Sequence, residues 1–95
     1  MTAYFAPIRD MQFVINELAD LSKVAALPTF AEQEVGPELL EAVLEEAAKL
    51  ATEVLAPINK SGDVQGAQIG PAGVIPAAGF TEAYRSFIEG GWNGI

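Results

Sequence analysis

Between Glu38 and Leu55 the charged residues and the large apolar residues separate onto two sides of a helix. At 100° per residue, Glu38, Glu41, Glu45, Glu46, Lys49, Thr52 and Glu53 share one arc of roughly 140°. Leu39, Leu40, Val43, Leu44, Ala47, Leu50, Ala51, Val54 and Leu55 fill the opposite side. Gly36-Pro37 opens the element, since proline suits a first helical position whose N–H would lack a partner anyway. Glu38 in the first turn favours the helix dipole. Pro57 is expected to close this helix or to kink its last turn. A surface helix of a small domain needs only about 100° of apolar stripe. This one approaches half a turn, so part of its cover should come from outside the chain. The packing positions it predicts are Leu40, Val43, Leu44, Ala47 and Val54.

The flanking segments are shorter. Asp10 is a plausible N-cap for a helix whose apolar positions Met11, Val14, Ile15, Leu18 and Leu21 follow helical spacing. Pro28 should end any extension of it, and Thr29 to Val35 reads as a polar connection. From Asn59 to Gly79 seven glycines and prolines mark a loop, with a short hairpin around Gly70 to Gly73. A last helix is expected over about Thr81 to Glu89, with Tyr84, Phe87 and Ile88 on one face. Gly90-Gly91 should stop it, with Trp92 just beyond. The fold class this gives is all-α, with three main helices.

Composition removes most chemistries. The chain has 95 residues with no Cys and no His. A disulfide framework, a thiolate metal site and the commonest general base are therefore unavailable. Five Lys and Arg stand against 13 Asp and Glu, a formal net charge of -8. That balance opposes binding to nucleic acid or to an anionic membrane surface. No run is long enough to span a bilayer. Asp10, Asn16 and Glu17 interrupt the place where a secretory signal would be apolar, so a cytoplasmic location is the expectation. With 51% hydrophobic residues the chain is too apolar for a disordered acidic tail.

The remaining candidates each have a plainer reading. Glu38, Glu41, Glu45 and Glu46 could suggest a carboxylate metal site. Bundle sites of that kind use inward-facing Glu with an E-x-x-H partner; these residues share an outward face, and Lys49 follows Glu45 at a favourable spacing. The glycines match neither a dinucleotide fingerprint nor a phosphate loop. Ser22, Ser61 and Ser86 lack a base to activate them. Phe80, Tyr84, Phe87 and Trp92 read most simply as core, with Tyr84 or Trp92 keeping a polar edge near water. No catalytic, cofactor-binding or metal-binding residue is assigned.

Two stretches carry a family resemblance. Ala6-Pro7-Ile8-Arg9-Asp10-Met11-Gln12-Phe13-Val14, ending at Leu27-Pro28-Thr29-Phe30, is similar to a short N-terminal extension found in one branch of the acyl-CoA dehydrogenases. The Glu-rich helix comes next, followed by Leu55-Ala56-Pro57-Ile58-Asn59, Gly62-Asp63, Gly66, Gly73-Val74 and Pro76. Gly79-Phe80, Glu82-Ala83-Tyr84, Phe87 and Glu89-Gly90-Gly91-Trp92 complete the series, which resembles the start of that family's N-terminal helical domain. The resemblance places residues 1–35 in the extension with its first helix. Residues 36–95 become the start of the helical domain. It implies a parent enzyme that uses FAD and a downstream Glu to oxidise an acyl-CoA thioester to the 2,3-enoyl-CoA. Electron-transfer flavoprotein and the rest of the dehydrogenase would be its partners. The chain itself would be an N-terminal fragment, inactive and flavin-free alone. A standalone acidic helical interaction module is the competing reading. On either, the wide apolar arc predicts that the isolated chain self-associates, swaps helices or stays loosely packed.

Overall fold

A computed structural model of the chain describes residues 3–94. They are mostly helical, with one small two-stranded sheet. Two compact units share them: one takes in Phe5–Ala48, the other residues 49–94 with residues 3–4. No helix among the described residues is long and apolar enough to cross a membrane.

In the first unit the expected single helix is broken into pieces. Helix α1 (Ile8–Phe13) starts after Pro7, so Asp10 lies inside the first turn and is not the cap. The backbone then widens into a π-helical stretch, Val14–Leu18. It stops where Asp20 turns left-handed at φ 55. The Asp20 carboxylate offsets that strain locally: it accepts the Ser22 hydroxyl at 2.6 Å and sits 3.6 Å from the Lys23 ammonium. Helix α2 (Leu21–Ala25) follows. Pro28 does not merely end a helix. It occupies the first position of a further short one, α3 (Pro28–Ala31), inside the expected polar connection.

Helix α4 (Pro37–Lys49) opens as its sequence requires, with the Leu40 N–H donating to the Gly36 carbonyl at 2.9 Å. Glu38, Glu41, Glu45, Glu46 and Glu53 are exposed, while Leu40, Leu44, Ala47 and Val54 are half-buried. Val43 departs from the expected packing set and faces solvent.

Pro57 overturns the expected boundary. The chain stays helical through a π-helical stretch, Leu50–Leu55, and on through α5 (Ala56–Gln65). Proline in an α-helix lacks a donor and clashes with the carbonyl four residues back. A wider turn just before it shifts that carbonyl and relieves both problems. The segment 59–65, expected as loop, is therefore helix. A hairpin of β1 (Gln68–Gly70) and β2 (Gly73–Ile75) forms where Gly70 to Gly73 predicted it. Helix α6 (Phe80–Glu89) begins one residue before its expected start, and a 3-10 turn, Trp92–Gly94, follows.

Small residues close this second unit. Gly62 on α5 is buried under the Phe80 ring, and a Cβ there would collide with it. Gly79, at φ 89, precedes α6; a Cβ on it would stand 2.9 Å from Ile58 Cγ2. The Gln65 side-chain carbonyl accepts the Ala78 N–H at 3.3 Å, and the Gln68 side chain donates to the Gln65 carbonyl at 3.1 Å. Helix α6 lies against the π-helical stretch. The described apolar side chains that are fully buried are Ala77 and Ala83, at 5% and 6% exposure.

Candidate functional site

Three places were open to carrying chemistry or contacts. The first is a shallow cleft of about 590 Å³ in the Phe5–Ala48 unit, where the π-helical turn, α2 and the start of α4 meet. Leu21, Val35 and Pro37 supply apolar wall; Asn16, Glu17 and Ser22 supply polar atoms. The Ser22 hydroxyl is committed to Asp20. Asn16 Oδ1 is out of solvent and has no hydrogen-bond partner. An oxygen closed to water is equally closed to a ligand's donor, so it marks a local cost in folding, about 1–3 kcal/mol, and not a binding group. Glu17 is exposed, and the Ser22 hydroxyl in the same cleft donates to Asp20 and not to it. The sequence reading did not single out Asn16; a polar residue amid the apolar spacing of Val14, Ile15 and Leu18 was the available signal.

The second is the glutamate face of α4, with Glu38, Glu41, Glu45 and Glu46. The structure keeps these carboxylates on one exposed face, as their spacing predicted. Among the described residues no group of three or more Asp or Glu is placed to hold a metal ion.

The third is the aromatic end. Tyr84 and Phe87 stack with ring centroids 6.3 Å apart and planes inclined by 21°. Tyr84 and Phe80 are exposed, while Phe87 and Trp92 are half-buried, so the cluster straddles the surface. Trp92 folds back, its indole nitrogen 2.8 Å from where a Gly90 Cβ would stand. Tyr84 is the more exposed ring of the pair, as suits an aromatic with a polar edge. On the hairpin, Ile69 and Val74 face each other and are 90% and 73% exposed. Neither was singled out from sequence.

Comparison with known proteins adds what geometry leaves open. No family model matches the chain. Over 92 residues, 97% of its length, it is 35% identical to the 3-methylmercaptopropionyl-CoA dehydrogenase of Ruegeria pomeroyi. The chain spans 15% of the length of that relative. Along nearly all of its length, then, this chain is a relative of one segment of an acyl-CoA dehydrogenase.

Proposed function

We propose that the chain is the N-terminal segment of a flavin-dependent acyl-CoA dehydrogenase and contributes packing surface, not chemistry. The carrying observation is the match of 97% of this chain to 15% of a much longer dehydrogenase. On this reading residues 1–35 are an extension, and residues 36–95 begin the enzyme's helical domain. The parent oxidises an acyl-CoA thioester to the 2,3-enoyl-CoA in the cytoplasm, and electron-transfer flavoprotein takes up the electrons. FAD supplies the oxidant in that reaction. The residues here do not fit a flavin nucleotide: the cleft beside Asn16 is rimmed by the Glu17 carboxylate and has no Lys or Arg in its wall. Pyrophosphate binding calls for oriented N–H groups or cations. No step of the reaction is therefore assigned to this chain.

The test is to follow the reading frame past Ile95 and purify the whole polypeptide it encodes. The expected product is yellow and reduces an artificial electron acceptor with an acyl-CoA, whereas residues 1–95 alone are colourless. A frame that closes at Ile95, or stoichiometric FAD on the isolated chain, overturns the proposal.

A further inference from the structure

The chain has three asparagines, in three different settings. Asn16 lies in the π-helical stretch Val14–Leu18, and Asn59 lies in helix α5. In both, the next residue, Glu17 or Lys60, is still helical and carries a side chain beside its backbone nitrogen. Asn93 sits in the 3-10 turn Trp92–Gly94, and the residue after it is glycine. Asn93 and Gly94 are both exposed. A Cβ built on Gly94 would meet nothing within 4 Å. The Gly94 N–H donates to the Gly91 carbonyl at 3.1 Å, and Gly91 itself stands at φ 79. A 3-10 turn has poorer hydrogen-bond geometry than an α-helix, and glycine leaves the backbone free to rotate. This turn therefore opens at low cost, without unfolding of the helices before it.

We propose that Asn93–Gly94 is a self-modification site, at which the side-chain amide is exchanged for a carboxylate with water as the co-reactant. When the turn opens, the Gly94 nitrogen is released from the Gly91 carbonyl and can reach Asn93 Cγ. A bond forms between that nitrogen and Cγ, closing a cyclic imide. The Cγ–Nδ2 bond breaks, the Gly94 proton passes through solvent to the departing nitrogen, and ammonia leaves. Water then opens the imide. Addition at Cγ restores the ordinary backbone and leaves aspartate. Addition at the main-chain carbonyl carbon breaks the original peptide bond and leaves the chain running through Cγ as isoaspartate. Nothing is oxidised or reduced. Glycine serves the step twice, since no Cβ crowds the attacking nitrogen and its backbone rotates freely. Each event adds a negative charge to the formal -8 beside Trp92, whose indole packs on Gly90. The inference rests on this chain's own residues and stands apart from the family reading.

Ageing the 95-residue chain in mildly alkaline buffer tests it. Trypsin cuts after Lys and Arg, so each asparagine falls in its own peptide, residues 10–23, 50–60 and 86–95. Mass spectrometry of the digest, read against an unaged sample, follows all three at once. The expected result is conversion of the 86–95 peptide from amide to acid, in separable aspartate and isoaspartate forms. The other two peptides keep their amides. Gly94→Val sets a branched side chain beside the attacking nitrogen and should slow conversion by about tenfold or more. Its far-UV circular dichroism should match wild type, because the position is exposed. Four outcomes each overturn the proposal: an Asn93 that keeps its amide throughout, Asn16 or Asn59 converting as fast, aspartate without isoaspartate, or a Gly94→Val chain converting at the wild-type rate.

Discussion

The stretch Phe5–Ala48 and the stretch from Lys49 onward hold similar apolar content in different ways. In the first, the helices touch mainly their neighbours in sequence, and no described residue is fully buried. In the second, α6 lies against the π-helical stretch and its Phe80 covers Gly62 of α5, contacts made across gaps in sequence, with Gly62, Ala77 and Ala83 buried. Backbone geometry follows the same division. Left-handed positions in the first fall on Asp20 and Glu34, at φ 55 and 52, where a side chain costs about 1–2 kcal/mol. In the second they fall on glycines such as Gly66 and Gly79. The lesson is that a small chain closes where small residues let backbones approach, and stays open where its apolar residues lack a facing element.

Five substitutions test this contrast. Gly62→Val should have the largest effect, destabilising by about 2 kcal/mol because the new side chain meets the Phe80 ring. Adding Phe80→Ala should recover part of that loss, as contacting sites are not additive. Urea unfolding measures both, and a Gly62→Val chain as stable as wild type would remove the close approach as the basis of closure. Leu44→Ala should cost about 1–2 kcal/mol, below the range for a fully buried leucine. A loss larger than that of Gly62→Val would mean that the first region has a core of its own, erasing the contrast. Glu34→Gly should stabilise by about 0.5 kcal/mol, the relief at φ 52 outweighing the added chain entropy. A lower melting temperature would contradict it. Glu45→Ala comes last, at about 0.3 kcal/mol for the loss of a helical i,i+4 pair; a larger change in the same assay would place that face inside.

Legibility in the sequence follows the same divide between local and distant causes. The inward and outward faces of α4 could be read because its charged and apolar residues separate cleanly at a fixed period. The hairpin and α6 could be read because Gly70, Pro71, Gly73 and Gly79 punctuate them. Helix α5 could not: Asn59, Ser61 and Gly62 are poor helix formers, and its helicity rests on contacts with residues more than ten positions away, Phe80 and Ala78. The spacing of Ile58, Gly62 and Gln65 was the faint signal. The π-helical stretches were invisible to a wheel drawn at 3.6 residues per turn. Pro57 misled because proline marks a boundary only when the backbone around it stays regular. At the candidate sites, the glutamate face was legible as a surface. The bare hairpin face was not, since its exposure follows from a register that periodicity alone does not set.

Trp92 gives this divided molecule an unequal optical signature. It is the single tryptophan of the chain, folded against Gly90 at the end of α6. Its fluorescence therefore reports on the stretch from Lys49 onward, whereas the amide circular dichroism sums over every helix. If the more loosely held Phe5–Ala48 stretch loosens first on heating, the circular dichroism signal falls while the emission maximum stays put. Two probes on one sample would then trace two melting curves, and their separation in temperature would read out the difference in cohesion directly.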